Sequence, residues 1–308
     1  MRPPFSYYGG KQRLAPKIVP LLPPHTVYVE PYLGSGAVFF EKGIPAGAST
    51  HYREVINDKN ELLIGFFRVL QDPEQSRSLR ERLAYTLYSR SEYARALALC
   101  KGPVDDPVLM AWAWFVNISM SFAKKAGGGW GTGVITKNVA DSFARAQARV
   151  NSYADRLRSV HIESEPALEV INRWDSPQTC FYVDPPYPET EQGHYGGFTQ
   201  ADFEQLLAAL QDCQGAVVLS CYDNPAVPAD WEKHQFEAVT SSRGIVGADR
   251  DHAQASAARD DAGRTECVWI KPAKVPARPD LQPIMQRHAA WFRGERPPEQ
   301  LSLFSEVS

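Results

Sequence analysis

Residues able to hold an amino group on a planar ring occur at Asp184-Pro185-Pro186-Tyr187. This tetrapeptide follows the apolar run of residues 180–183, whose composition is typical of a buried strand that ends at a pocket. Two consecutive prolines have no N–H to donate, so they end the strand and stiffen the backbone. The Asp184 carboxylate and the Pro185 carbonyl then form a fixed pair of acceptors beside the flat face of Tyr187. The pattern suits a planar ring with an exocyclic amino group, and a strand-ending turn capped by Asp184 is the structural alternative.

A second group of residues predicts a nucleotide-binding unit near the N-terminus. The strand-like residues 26–30 end at Glu30 and lead into Gly34-Ser35-Gly36, and residues 37–40 then have the apolar character of a helix start. Glycines allow the backbone to approach a ligand, and the N-terminus of the helix faces that ligand. About twenty residues later an apolar run ends in Asp58, where a ribose-binding acid is expected after a second strand. The third glycine of the dinucleotide fingerprint is missing, which disfavours an NAD-dependent oxidoreductase.

The order of these motifs resembles the alpha group of DNA adenine methyltransferases, the Dam-like family. It runs from Tyr7-Tyr8-Gly9-Gly10-Lys11 through the glycine turn and Asp58 to the Asp-Pro-Pro-Tyr segment, and the similarity covers roughly residues 4–70 and 160–272. Later segments also fit, namely residues 217–224, Arg243 ahead of Ile245, and a strand-like run at residues 265–270. The resemblance implies an α/β fold: a Rossmann-like methyltransferase core, which is a mixed sheet with helices on both faces, and an inserted, mainly helical DNA-recognition lobe.

The activity that the resemblance implies is site-specific methylation of the amino group of an adenine flipped out of duplex DNA. The methyl donor would be S-adenosylmethionine, whose sulfonium methyl is already electrophilic, so no metal is expected. Asp184 and the carbonyl of Pro185 would accept the amine hydrogens, with Pro186 keeping the turn rigid and Tyr187 stacking on the base. The same resemblance implies that the cofactor is bound by Tyr7, Lys11, Glu30, Gly34, Gly36, Asp58 and Asp184. Lys11 would meet the methionine carboxylate, and Asp58 the ribose hydroxyls.

The distribution of charge predicts where DNA is bound. Residues 75–160 hold thirteen Lys or Arg and six acids, so this segment carries +7, whereas the whole chain carries −3 and the remainder therefore −10. A basic lobe beside an acidic core indicates that one lobe meets phosphates, although solvated arginine-rich helices have the same composition. The predicted DNA contacts are Lys124, Lys125, Trp130, Arg145 and Arg149.

Helical spacing within this lobe extends over residues 75–100, 106–122 and 139–160. Between the last two, residues 124–133 combine five glycines with two lysines and Trp130, which favours a loop that orders on DNA over a core element. The alternative is a hairpin tip with Trp130 packed into the lobe. Ser6 and the Ser-, Lys- and Gly-rich residues 115–133 depart from the pattern of enzymes that read GATC. The resemblance therefore extends to the reaction and not to a GATC recognition sequence.

The predicted organisation is a discontinuous catalytic core of residues 1–70 and 161–272, a target-recognition lobe of residues 71–160, and a proline-rich tail of residues 273–308. No signal peptide or membrane span is recognisable, and the five scattered cysteines indicate a reduced, cytoplasmic protein. We expect a protein that is encoded by a bacterium or a phage and is associated with DNA. A monomer or weak dimer is expected, paired with a restriction enzyme or solitary. Other function classes remain open: methylation of a cytosine amino group or of RNA, and a non-catalytic DNA-binding module.

The tail contains a short motif of its own. Gln300-Leu301-Ser302-Leu303-Phe304 resembles the peptide by which bacterial replication and repair proteins bind the sliding clamp. Gln300 would reach a polar subsite, while Leu301, Leu303 and Phe304 supply the apolar contacts. Folding of these apolar side chains back onto the protein is the alternative.

Overall fold

The computed structural model describes residues 1–7, 9–45, 48, 51–122, 127, 129–132, 138–187, 197–236 and 265–295. In this part of the chain, seven strands form one sheet: β1 (Val27–Glu30), β2 (Arg53–Asn57), β3 (Val160–Glu163), β4 (Thr179–Val183), β5 (Ala216–Tyr222), β6 (Glu232–Phe236) and β7 (Glu266–Lys271). Their order is β3-β2-β1-β4-β5-β7-β6. The first five are parallel, and β7 is antiparallel to both of its neighbours. The mixed sheet predicted from the sequence is therefore confirmed.

The helices of the described residues are α1 (Ala15–Ile18), α2 (Ala37–Lys42), α3 (Glu61–Gln71), α4 (Pro73–Ala84), α5 (Arg90–Leu99), α6 (Pro107–Met120), α7 (Val139–Arg149), α8 (Tyr153–Leu157), α9 (Ala167–Trp174), α10 (Gln200–Asp212) and α11 (Gln282–Phe292). Single turns of 3₁₀ helix follow α1 and α7. Asn60, Asp72, Ser89, Asp106 and Asn138 cap the helices that follow them by accepting from free backbone N–H groups. These capping residues explain where the helices of the lobe begin.

Alternate residues of the strands face opposite sides of the sheet, and helices cover both sides. On β1, for example, Tyr28 packs in the apolar cluster that includes α2 and α3, whereas Val29 packs in the cluster that includes α9 and α10. Val29 also pairs with Val55 on one side and Phe181 on the other. Parallel strands need this double cover because both of their faces are apolar. Helices on both faces confirm the Rossmann-like core.

The segment between α3 and β3 folds into the predicted helical lobe, with two differences from the predicted helices. Residues 75–100 form two helices, because the chain turns at residues 85–89 before Ser89 caps α5. Residues 139–160 form α7, a 3₁₀ turn and α8, and Val160 already belongs to β3. The almost entirely apolar α6 is buried against these helices and shares its apolar cluster with the sheet. The lobe and the catalytic core thus have a continuous apolar interior.

A buried ion cluster joins the lobe to the sheet. Glu54 on β2 accepts two hydrogen bonds from the Arg156 guanidinium of α8, at 2.5 and 2.7 Å, and also pairs with Lys42 of α2. All three side chains are under 10% exposed. Burial lowers the pKa of Lys42 to about 8, against the attraction of Glu54. Arg156, counted above among the basic residues of the lobe, is therefore a structural ion and not a phosphate contact.

The fold continues beyond residue 272, where the sequence predicted that a tail begins. Residues 282–292 form α11, which packs at the amino end of β1. The ring of Phe292 stacks on His25 with centroids 5.2 Å apart, and Nδ1 of His288 lies 3.1 Å from the carbonyl oxygen of His25. The helical spacing of apolar residues such as Met285, Ala289 and Phe292 does predict this helix, but the prolines on either side indicated a tail instead.

Candidate active site

A cavity of about 550 Å³ opens at the carboxyl ends of β1, β2 and β4. From β1 the chain proceeds outward to β2 and β3, whereas from β4 it proceeds to β5 in the other direction. The strand order therefore reverses between β1 and β4. In open parallel sheets this reversal separates the connecting loops and leaves a crevice where ligands bind. The cavity has a volume typical of a small-molecule site.

The glycine turn after β1 forms one wall of this cavity. Gly34 and Gly36 have φ angles of 51° and 69°, a region that side chains with a Cβ rarely adopt. A Cβ on Gly36 would also lie 3.1 Å from the ring of Phe40. Gly36 lies just outside the cavity lining and shapes the turn into α2, whereas Gly34 lines the cavity itself.

Asp58 follows β2 and fixes this turn from the side. Its Oδ2 accepts from the backbone N–H of Gly34 and its Oδ1 from that of Asn60, both at 2.9 Å. Burial raises the pKa of Asp58 above its ordinary value, against the stabilising effect of these two N–H groups. The carboxylate therefore lines the cavity in an orientation that these two backbone groups define.

Glu30, the last residue of β1, lies deeper in the cavity. Its Oε1 accepts from the hydroxyl of Tyr28 at 2.5 Å, and the side chain is almost fully buried. Burial raises the pKa of Glu30 to about 8, although the Tyr28 hydroxyl and the Lys42 ammonium oppose the shift. At neutral pH this group carries a proton most of the time and can act as a hydrogen-bond donor.

A connected polar network occupies the wall opposite the glycine turn. Nζ of Lys11 lies 2.9 Å from Oδ1 of Asp184, 2.8 Å from the hydroxyl of Tyr187 and 3.3 Å from Oε1 of Glu266. The Tyr187 hydroxyl lies 2.6 Å from the same Glu266 oxygen. The ring of Tyr187 contacts that of Tyr222, with centroids 4.5 Å apart. Residues separated by more than 170 positions thus meet at one point, because β4 and β7 both flank β5 and the N-terminal loop crosses their ends.

Within this network the pKa values of both Lys11 and Asp184 are raised. Burial alone would lower the pKa of Lys11, but Asp184 and Glu266 outweigh it and raise the pKa above its ordinary value. Burial raises the pKa of Asp184 to about 6; Lys11 opposes this shift and Glu266 adds to it. The carboxylate of Asp184 therefore takes up a proton at a higher pH than an exposed aspartate does.

The structure brings almost all of the predicted cofactor and catalytic residues together. Tyr7, Lys11, Glu30, Gly34, Asp58 and the whole Asp184–Tyr187 segment line the one cavity. Sequence reasoning missed Tyr32, Leu168 and Phe198, which supply apolar walls, and the buried carboxylate of Glu266. Tyr32 stands inside the glycine motif and could have been found there. Leu168 and Phe198 have no distinguishing sequence signal.

The predicted DNA contacts lie apart from the cavity or outside the described residues. Of these contacts, Lys124 and Lys125 lie outside the described residues. Residues that were predicted for other roles also lie outside them, namely Tyr8, Arg243, Ile245 and the clamp-like residues Gln300, Leu301, Leu303 and Phe304. Trp130 pairs with Ser121 in a short antiparallel bridge and packs against Tyr88 and Arg90. This packing corresponds to the alternative in which Trp130 sits in the lobe.

Arg145 and Arg149 lie on α7. Arg145 is exposed and pairs with Asp141, whereas Arg149 is half-buried. Over the described ranges, no group of three or more His, Cys, Asp or Glu side chains is arranged to hold a metal ion. None of the helices described above is long and apolar enough to cross a membrane.

Comparison with known proteins gives one family match. The model of the D12 class N6 adenine-specific DNA methyltransferases matches residues 7–214, about two thirds of the chain. A similar curated protein is the Type II methyltransferase M1.LlaDCHI of Lactococcus lactis subsp. cremoris, 39% identical over 77 residues. That alignment covers 24% of this chain and 25% of the relative, so it spans about a quarter of the relative's length.

One solved structure aligns over 86% of both chains, the putative methyltransferase yhhF from Escherichia coli. The TM-score is 0.32 and the sequence identity 11%.

Proposed function

The chain belongs to the family of D12 class N6 adenine-specific DNA methyltransferases, and from this membership we propose that it methylates the exocyclic amino group of adenine at specific sites in double-stranded DNA. The observation that carries the proposal is the state of Asp184. One oxygen, Oδ1, is bound by Lys11, while no donor among the described residues bonds Oδ2. An acceptor with one oxygen that no described residue bonds, beside a cavity large enough for a cofactor, suits an amino group. Such a group loses its hydrogen-bonding partners in water and regains partners in the site.

The cavity suits S-adenosylmethionine in its donor set. Asp58, held by the backbone N–H groups of Gly34 and Asn60, is proposed to accept from the ribose hydroxyls. The apolar side chains of Leu168 and Phe198, which also line the cavity, suit the adenine ring of the cofactor. The charged side chains of Lys11 and Glu30 also line the cavity, and the methionine moiety is proposed to bind beside them. When bound there, the cofactor supplies an electrophilic methyl group, so the chain needs to provide no metal or covalent intermediate.

The proposed task of the protein is to position the amine and to make its lone pair available. An adenine amine is a weak nucleophile because its lone pair is conjugated into the ring. By accepting the amine hydrogens, Asp184 and the carbonyl of Pro185 favour a pyramidal nitrogen and stabilise the positive charge that develops on it. Tyr187 is proposed to contact the flipped base, and the buried walls exclude water.

Methyl transfer to defined substrates tests this proposal. The purified chain is incubated with tritiated S-adenosylmethionine and with duplex DNA or RNA, and the methylated nucleosides are separated by chromatography. N6-methyladenine in DNA is expected. Methylated cytosine or RNA would favour the related activities, and cofactor binding without transfer would favour a non-catalytic module. Modification-sensitive sequencing of DNA from cells that express the chain then gives the recognition sequence.

Asp58→Ala is expected to weaken S-adenosylmethionine binding about ten- to a hundredfold, because hydrogen bonds to a charged acceptor contribute about 1.5–3 kcal/mol. Asp58→Asn keeps one oxygen that accepts from the backbone, so it should lose less affinity for S-adenosylmethionine than the alanine variant. Titration calorimetry measures both, with the exposed Asp212→Asn as a control. Unchanged affinity in the alanine variant would contradict the ribose role.

The basic lobe is proposed to bind the DNA backbone. Neutralising Lys124 and Lys125 together to glutamine should weaken binding and lower the salt dependence of affinity by about one to two counterions, since each phosphate contact releases about one. Fluorescence anisotropy over a range of salt concentrations measures the slope. The matched control is Arg158→Gln, because Arg158 is exposed but paired with Asp155. Equal slopes for the lysine variant and wild type would exclude the loop as a contact.

A sliding clamp remains a proposed partner of the tail. The peptide of residues 296–308 should bind a bacterial clamp, and the Leu303→Ala, Phe304→Ala peptide should not. If both peptides bind the clamp equally, or if neither binds it, the proposal that the tail binds a clamp is refuted. The cytoplasmic location and the monomeric or weakly dimeric state likewise stay predictions.

A further inference from the structure

We propose that Glu266 on β7 is a positioning residue for methyl transfer, which holds Lys11 and Tyr187 so that Oδ2 of Asp184 is left free for the target amine. This inference rests on the proposed function, since it assigns a role within the same site. Glu266 lies beyond residues 7–214, which the family model matches, and the sequence marks it only as the start of a strand.

The first argument is that one oxygen of Glu266 collects three donors from three parts of the chain. Oε1 lies 2.6 Å from the Tyr187 hydroxyl, 3.0 Å from the Ser220 hydroxyl and 3.3 Å from Nζ of Lys11. Tyr187 follows β4, Ser220 lies on β5, and Lys11 lies in the N-terminal loop. Glu266 is therefore the point at which these segments are fixed relative to one another.

The second argument concerns the single proton of the Tyr187 hydroxyl. Among the described residues, two carboxylates compete for it: Oε1 of Glu266 at 2.6 Å and Oδ1 of Asp184 at 3.3 Å. The shorter distance favours donation to Glu266, while the Tyr187 oxygen accepts from Lys11 at 2.8 Å. Glu266 thus draws the tyrosine proton away from Asp184. Lys11 remains as the donor that orients Asp184 through Oδ1.

The third argument is the cost of burying the carboxylate. Glu266 is 9% exposed in a strand that is otherwise largely apolar. Removing a carboxylate from water is unfavourable unless partners compensate for it, and sheet pairing of β7 with β5 requires only the backbone. A neutral side chain would serve the sheet equally well. The buried charge is accounted for by Lys11, whose ammonium lies between the carboxylates of Glu266 and Asp184 and contacts only Oδ1 of Asp184.

Removing this charge has a defined effect on Asp184. The titratable groups that face Asp184 come from five other elements or loops and its own turn: Lys11, Glu30, Tyr182, Tyr187, Cys221 and Glu266. Glu266 repels the ionised form of Asp184 and also shares Lys11 with it. In Glu266→Gln both effects end, so Asp184 should ionise at lower pH. The acidic limb of the pH–rate profile should therefore move to lower pH by about one unit.

The test compares wild type, Glu266→Gln, Glu266→Asp and a control, Glu232→Gln, which removes an exposed carboxylate from the neighbouring β6. Single-turnover methyl transfer is measured from pH 5 to 9, and S-adenosylmethionine affinity by calorimetry. Glu266→Gln should transfer about ten- to a hundredfold more slowly, because small displacements of reacting groups are costly, with affinity within about threefold of wild type. Its acidic limb should shift, whereas Glu266→Asp keeps the charge and should lose rate without that shift.

Carbon-13 NMR of aspartate-labelled protein follows Asp184 independently of activity, with its signal assigned through Asp184→Asn. If wild type transfers no methyl group to DNA, the proposed function fails, and the NMR titration still decides the role of Glu266. A wild type that is active beside a Glu266→Gln variant with more than half its rate, an unshifted profile and an unshifted Asp184 signal would overturn this inference alone. A uniform loss of rate with no change in pH dependence would assign Glu266 to folding of the sheet.

Discussion

Asp184→Ala is expected to reduce methyl transfer at least about a thousandfold while leaving S-adenosylmethionine affinity within about threefold of wild type. The reason is that Asp184 acts on the amine, where an acceptor stabilises charge that develops only in the transition state. In the free protein its Oδ1 is bound by Lys11. Loss of the carboxylate leaves Lys11 paired with Glu266, so the site keeps a counter-ion and the fold should persist.

Single-turnover transfer of a tritiated methyl group measures the rate, and calorimetry measures the affinity. Asp212→Asn serves as the control, since this carboxylate is exposed at the far end of α10. Wild-type transfer should itself decline as the pH falls through about 6, because the pKa of Asp184 lies there and the protonated form cannot accept. An alanine variant that retained a tenth of the wild-type rate would remove Asp184 from the mechanism.

Glu54→Gln is expected to destabilise the protein by about 3–5 kcal/mol, the cost of leaving buried charges without a partner. Glu54 neutralises both Lys42 and Arg156, and all three are buried. In the variant Lys42 would lose its proton near neutral pH, because burial has already lowered its pKa to about 8. Arg156 cannot do the same, so its charge would remain uncompensated against β2.

Equilibrium unfolding in urea measures this loss. The matched control is Asp155→Asn, which breaks the exposed ion pair with Arg158 on the same helix as Arg156. That change should cost under about 0.5 kcal/mol. If the two variants lose similar free energies of unfolding, the buried cluster contributes no more stability than an ordinary surface ion pair.

The catalytic half of the site could be predicted because its residues occur in short motifs. Each motif combines a strand with the turn that follows it, so glycines, prolines and a terminal acid lie within a few positions of one another. Asp58 and Asp184 were recognisable for this reason. Glu266 was not, because its neighbours Cys267 and Val268 are those of any buried strand. Its partner Lys11 lies 255 positions away, and only the sheet order brings the two together.

Local signals also failed where two tendencies compete. The break at residues 85–89 lies inside a stretch of uniform helical composition and depends on the cap that Ser89 provides. Helix α11 was missed because prolines at positions 272, 276, 279, 297 and 298 suggested a tail. Pro283 in fact stands in the first turn of α11, where a missing N–H costs nothing. Composition alone did not distinguish this helix start from an unstructured segment.

The position of β7 has a consequence for synthesis of the protein. This strand is made last of the seven, yet it lies inside the sheet between β5 and β6 and carries Glu266. While the ribosome is still translating residues before 266, β5 and β6 have no strand to join them, and Lys11 lacks one of its two anionic neighbours. A nascent chain therefore contains the glycine turn after β1 long before the polar network around Lys11 and Asp184 is complete.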